Sequence, residues 1–165
     1  MAKLALFTFL ITAVSFVTAV LPSHKIRGVN LGSLFIVEPW MSSSTWASMG
    51  CGSSSSEWDC VTLLGQDAAN TAFQKHWDTF IVAEDFDRMK EYGLNTVRIP
   101  VGHWFVEETI QEGEMWPRGG MGYLDKVVGL AKERGMGVIL DLHGAPAVQV
   151  AKNAFTGHVS FFDST

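Results

Sequence analysis

The 165 residues are 47% hydrophobic and 18% charged, with 12 Lys and Arg against 17 Asp and Glu. These are the proportions of an ordinary soluble globular chain, and the acidic excess excludes the basic footprint that a nucleic-acid partner needs. No G-x-G-x-x-G follows the first strand pattern and no Walker sequence occurs, so the common nucleotide sites lack support as well.

The chain opens with MAKLALFTFLITAVSFVTAV: one lysine, a long apolar run, then small residues that suit cleavage after Ala19. Residues 1–19 therefore read as a secretory signal and 20–165 as the mature chain. The alternative is a membrane anchor, since 4–21 is about long enough to span a bilayer. The small-residue end and the lack of basic residues directly after it favour cleavage.

KIRGVNLG (25–32) is the first strand candidate. Beyond it, eight of the fifteen residues 42–56 are serine, a composition that buries no core and is expected on the surface. Cys51 and Cys60 lie in and beside this stretch. In an oxidising compartment they would close one short disulfide ring; otherwise they would be free thiols. No N-x-Ser/Thr acceptor occurs, so there is no argument for N-glycosylation.

The pattern then becomes regular. QDAANTAFQKHWDTF (66–80) reads as a helix. Val82, Phe86, Met89 and Gly93 recur at helical spacing, with Glu84 and Asp85 near the start and Gly93 as the stop. NTVRIPV (95–101) is a second strand, Leu124, Val127, Val128 and Ala131 mark another helix ending at Lys132, Arg134 and Gly135, and GVILDLHG (137–144) is a third strand. Strands alternating with helices give parallel strands and an α/β fold.

Periodicity does not choose between an open doubly wound sheet and a (β/α)8 barrel, but the polar residues bear on it. Side chains alternate along a strand, so Arg98 and Pro100 share one side, as do Asp141 and His143. Polar groups thus gather at the C-terminal ends of both strands, where either fold places its chemistry. Trp40 and Trp46 after the first strand, and Trp104 and Trp116 after the second, are expected on the same rim. Flat ring faces there suit sugars, which present C–H groups on one side; the other reading is that these rings only cover the barrel mouth.

IRGVNLGSLFIVEPW, HWDTFI, EYGLNTVRIPVGHW, GGMGYLDKVVGLA and VILDLHGAP, in that order, resemble the N-terminal part of fungal glycoside hydrolase family 5, the clan that includes exo-β-1,3-glucanases and endo-β-1,6-glucanases. RIPVG and DLHGAP are its specific motifs, and the resemblance covers nearly all of the mature chain. The Ser-rich loop with MGC and a second cysteine, LGQDAAN, PRGG and FTGH make it most similar to the secreted endo-β-1,6-glucanases.

The resemblance implies a (β/α)8 barrel, of which about three βα units are present here. Such enzymes hydrolyse β-glucan with retention through two glutamates about 5 Å apart. It implies that Arg98 reaches the nucleophile and favours its ionised form, and that a buried guanidinium depends on such a partner. His143 corresponds to a histidine beside the sugar next to the scissile bond, where neutral imidazole both donates and accepts. Glu38, in VEPW, is implied to bind hydroxyls of that sugar, with Trp40 bordering the pocket and Trp104 on the rim. Asp141 is implied to orient its neighbours. No cofactor and no metal are implied; the partner is a β-glucan polysaccharide, outside the cell or in its wall, with no nucleic acid, no stable membrane association after signal cleavage, and a monomer at full length.

The chain departs from the family at several places. His103 stands where tyrosine is common, Ala147 sits in HGAPAVQ where HGAPGAQ is commoner, and Ala83 replaces a helix-capping threonine, which should weaken that helix start. The acid/base glutamate of the family follows an asparagine after the fourth strand, and the nucleophile follows the seventh. This chain has no Asn-Glu pair, three strand patterns, and far fewer than the roughly 250 residues of a closed barrel. It is therefore expected to be an N-terminal fragment lacking both catalytic glutamates. Two other classes remain: a non-catalytic secreted glucan-binding protein, and a metal hydrolase using Asp141 and His143, weakened because the five histidines form neither H-x-H nor H-E-x-x-H.

Overall fold

A computed structural model of the protein describes residues 25–146 and 157–158. The proposed signal at 1–19, Ala147, and the first half of FTGH lie outside the described residues. In chain order the elements are β1 (Gly28–Asn30), α1 (Ser43–Ser48), α2 (Glu57–Leu64), α3 (Gln66–Thr79), α4 (Ala83–Glu91), β2 (Thr96–Gly102), two 3-10 turns (His103–Phe105 and Glu107–Thr109), α5 (Gly120–Glu133) and β3 (Gly137–Gly144).

All pairing is parallel, in the order β1-β2-β3. Gly28 lies opposite Thr96 and Asn30 opposite Arg98; Thr96 lies opposite Gly137 and Arg98 opposite Ile139. That strand order is shared by a barrel and by half of a doubly wound sheet. The faces separate them. Val97 and Ile99 are fully buried in the core that includes Phe86, Leu124, Val127 and Ala131 of the helices, whereas Asn30, Arg98, Asp141 and His143 form the opposite, polar face. Exposed ion pairs from Lys126 to Asp78 (2.7 Å) and from Arg134 to Asp87 (2.6 Å) set α5 beside α3 and α4. Helices on one side of a parallel sheet, with polar groups on the other, are the wall and lumen of a barrel.

The helix boundaries follow local chemistry. Gly93 adopts φ +75, a conformation side chains resist, and lets α4 close with Gly93 N–H donating to Lys90 O and Leu94 N–H to Met89 O. The same pair of bonds closes α5, from Gly135 to Lys132 and from Met136 to Ala131. The cap position expected at Ala83 is corrected: Val82 is the N-cap of α4, its side chain accepts no bond, and the Asp85 carboxylate accepts the Val82 N–H at 3.0 Å.

Two further expectations are corrected. The first strand is only three residues long, although its bonding continues through Asn95 N–H to Arg27 O and Leu31 N–H to Arg98 O, each 2.9 Å. Past Leu31 the chain turns at Ser33, φ 56, and buries Leu34, Phe35, Ile36 and Val37 without regular structure. The serine-rich stretch is not a plain surface loop either. It contains α1 and leads into α2, buries Trp46 and Cys51, and uses Ser56 as the N-cap of α2, accepting from Asp59 N–H. Serine disfavours helix interiors but supplies caps, and one tryptophan with a disulfide gives this lobe its core. The Cys51–Cys60 disulfide is formed.

Phe86 is the one fully buried side chain of α4. Phe86→Ala is expected to cost about 3–5 kcal/mol of unfolding free energy, read from urea denaturation; a loss below about 1 kcal/mol would show that α4 is held by its ends instead.

Candidate functional site

The polar face is built by register. Arg98 donates from Nη1 to Asn30 Oδ1 at 2.8 Å and from Nη2 to Asp141 Oδ2 at 2.6 Å, so one guanidinium ties all three strands. His143 Nδ1 lies 2.9 Å from the same Asp141 oxygen. That oxygen accepts from Arg98, so Nδ1 is the donor of the His143 contact. The 3.5 Å between Arg98 Nη2 and His143 Nδ1 then separates two donors converging on one carboxylate. Side-chain exposures of 39% for Arg98 and 28% for Asp141 leave the pair open to the lumen side. A charged residue inside a strand thus finds its partner within this chain, in Asp141.

The ladder breaks next to His143. Val101 lies opposite Leu142 but Gly102 lies opposite Gly144, so His143 is the extra residue of a one-residue bulge. Bulges re-aim side chains and concentrate beside functional sites.

Glu38 and Trp40 come from the segment after β1. Glu38 is 8% exposed, and its Oε2 accepts the Trp40 indole N–H at 2.8 Å. Trp40 itself is 69% exposed, the open ring among the six tryptophans. The turn from Glu38 to Met41 folds back over Gly32, where a Cβ would meet the Met41 sulfur at 2.7 Å and the Asn30 amide at 3.2 Å. Asn30 thus connects the loop to the Arg98 cluster.

Two buried groups that the sequence patterns did not single out hold this segment. His76 Nε2 donates to Ser33 O at 2.7 Å, while Ser33 Oγ accepts the Glu38 N–H at 3.2 Å. Burial pushes the His76 pKa down, against backbone bonding that favours its charged form, so it stays neutral at pH 7. On the other side, Glu57 Oε1 accepts the Val37 N–H at 2.8 Å. Glu57 has no exposed surface. Burial raises its pKa to about 8, opposed by the Val37 N–H and the Trp104 indole. His76 lies on the buried face of α3 with Phe73 and Trp77, a placement that helical spacing signals, whereas Glu57, first residue of α2, carries no such signal.

The rim expected of the tryptophans is corrected. Trp46, Trp104 and Trp116 are 1–2% exposed. Trp104 and Trp116 stack at 4.0 Å with planes 2° apart, and Trp104 covers Gly102 so closely that a Cβ there would lie 2.3 Å from the ring. Trp104 therefore presents no open face to a ligand; these large apolar rings gain more from one another than from the rim. Among the described residues no group of three His, Cys, Asp or Glu is placed to hold a metal, and no helix is long and apolar enough to cross a membrane.

The profile of the cellulase family, glycosyl hydrolase family 5, matches residues 61–164. The chain is 57% identical over 137 residues to a probable glucan endo-1,6-beta-glucosidase B of Aspergillus flavus, covering 82% of this chain and 35% of that protein. It is 44% identical over 127 residues to a probable glucan 1,3-beta-glucosidase A of Aspergillus niger, covering 77% and 30%. Among solved structures, a rutinosidase from Aspergillus niger superposes with a TM-score of 0.71 at 26% identity, over 83% of this chain and 38% of that one. The chain belongs to glycosyl hydrolase family 5, and its three parallel strands with their helices are part of a (β/α)8 barrel. It spans about a third of the length of the relatives it matches.

Between its unfolded value of 4.5 and its folded value of about 8, Glu57 keeps a proton in the native state that the unfolded chain releases. Its contribution to stability is complete below the lower value and is lost as pH rises to the upper one. Glu57→Gln, which keeps an acceptor for Val37 N–H but does not titrate, is expected to flatten that part of the profile and to exceed the parent in stability at pH 8. Urea midpoints at pH 5 and pH 8 measure it; parallel pH profiles for the two proteins would remove Glu57 as the source.

Proposed function

We propose that this chain is the N-terminal part of the catalytic barrel of a secreted, retaining β-glucan hydrolase, with β-1,6-glucan as the favoured substrate. The observation that carries the reading is the Asn30–Arg98–Asp141–His143 cluster at the strand ends, connected through Asn30 and Gly32 to Glu38 and the exposed Trp40, in a chain that belongs to the family. Trp40 offers a flat apolar face for a sugar ring, Glu38 accepts from hydroxyls, and the His143 imidazole adds a hydrogen-bonding group on the lumen side. The greater identity to the protein named for endo-1,6 action than to the one named for 1,3 action supports the linkage. The leader pattern at 1–19 and the disulfide support secretion.

Retaining hydrolysis needs an acid to protonate the glycosidic oxygen and a carboxylate to take the sugar as a covalent intermediate. In the family these are glutamates of later barrel strands, and the present sequence has no Asn-Glu pair. The chain by itself then binds sugar without cleaving it. That same feature favours a second reading, a non-catalytic secreted glucan-binding protein. In a polypeptide that also carries both glutamates, Arg98 acts on charge in the oxocarbenium-like transition state, and Arg98→Ala lowers kcat more than it raises KM.

The purified protein is expected to be retained on insoluble β-1,6-glucan more strongly than on β-1,3-glucan, with no reducing sugar released. Trp40→Ala should weaken retention by about three- to tenfold, the worth of one aromatic face. Retention on neither glucan sinks the substrate reading, and release of sugar by the chain alone refutes the assignment of catalysis to the later glutamates.

A further inference from the structure

His103, the residue that departs from the family's usual tyrosine, is 7% exposed at the end of β2. Every side of it is engaged. Its ring meets Trp104 and Trp116 edge-on, with centroids 5.3 and 5.6 Å away, and its own carbonyl accepts from Thr109 Oγ1 at 2.9 Å. Its Nε2 lies 3.9 Å from Glu114 Oε2, a carboxylate 9% exposed that also accepts the Gln111 N–H at 2.8 Å. Its Nδ1 lies 3.3 Å from the carbonyl oxygen of Gly144. A carbonyl only accepts, so Nδ1 is the protonated nitrogen, and Nε2 faces Glu114.

The position of that bond gives it meaning. Gly144 is the first paired residue after the bulge, and His143 is the residue bulged out. An unpaired extra residue weakens the ladder locally, and the interstrand bond from His103 restores a fixed point on its far side. We propose that His103 is a positioning residue for His143: by donating Nδ1–H to Gly144 O, it pins the bulge of β3 and so aims the His143 imidazole at Asp141. Without this pin the strand relaxes toward the regular register, with His143 opposite Gly102, and Nδ1 leaves the carboxylate that Arg98 holds. The edge-on contacts with Trp104 and Trp116 keep the His103 ring from rotating, while Glu114 Oε2, 3.9 Å from Nε2, lies beyond hydrogen-bond reach. The proposal deepens the glucan reading, since it concerns the histidine that would meet the sugar. It also stands apart from it, because the geometry is testable without a ligand.

The test is side-chain NMR on the whole protein labelled with 15N-histidine. In the parent, the His143 Nδ1–H bonded to Asp141 should give a slowly exchanging signal. His103→Phe keeps the ring and its tryptophan contacts but removes the donor; the His143 signal should then be lost or shifted while that of His76 stays in place. His103→Asn, whose amide nitrogen stands where Nδ1 stood, should restore it. A His143 signal unchanged in H103F overturns the proposal. Should H103F fail to fold, visible as loss of the His76 signal too, H103N decides: a parental His143 signal supports the pin and a displaced one overturns it. A parallel titration with a short β-1,6 gluco-oligosaccharide should show about tenfold weaker binding by H103F, restored in H103N. If no variant binds sugar while the His143 signals behave as stated, the glucan reading fails and the positioning role stands.

Discussion

One oxygen, Oδ2 of Asp141, receives a guanidinium from β2 and an imidazole from its own strand, at 2.6 and 2.9 Å. A carboxylate that accepts two such donors is worth more than either bond alone, because each fixes the geometry the other needs. Arg98 is held straight by Asn30 on its other side, and His143 is held in one tautomer. The polar face therefore arrives preorganised, with directions set by the sheet and not by loops.

Beside it stands a segment of a different kind. Residues 31–38 have no regular structure yet are buried, so their backbone groups need partners supplied from elsewhere. Helix α3 supplies His76 and helix α2 supplies Glu57. The two respond oppositely to pH: His76, with its lowered pKa, contributes above its ordinary value of 6.5 and loses that contribution as pH falls, while Glu57 begins to lose its contribution above 4.5 and has lost it by about 8. The segment carrying Glu38 is thus best held in a window between them. The disulfide at Cys51–Cys60 anchors the start of α2, which carries Glu57 toward Val37 and Trp58 toward a stack with His158 at 4.0 Å.

Much of this was legible in the sequence. Alternation put Arg98 with Pro100 on one side of β2 and Asp141 with His143 on one side of β3, because strand side chains have a period of two, while the register that joins the two sides is seen only in the fold; glycines marked the ends of α4 and α5. Motifs quoted separately turn out to be halves of one contact: Gln66 and Asn70 of LGQDAAN hold the backbone of Trp116, next to PRGG, and of Arg118 within it, at 2.9 Å each. What failed was inference from composition and from residue type alone. Serine content hid two helices, since caps and a disulfide outweigh propensity over a short span. Four tryptophans looked equivalent on the rim, and only packing decides that Trp40 is open while Trp104 lies under Trp116. Glu57 reads as an ordinary helix-start acid, and nothing local reveals that its side chain turns into the core.

The strand-spanning cluster has a consequence for how the sheet assembles. The apolar residues of β2 and β3 would accept several alignments, because valine, isoleucine and leucine fill similar space. Arg98 would not. A shift of one residue turns every side chain of a strand to its opposite face, which would drive the guanidinium among Phe86 and Val127 and leave Asp141 without its cation, at the steep cost of a charge buried alone. Hydrogen bonds from Arg98 to partners 68 and 43 residues away therefore act as a proofreading of strand alignment: only the alignment that assembles the polar face escapes the penalty.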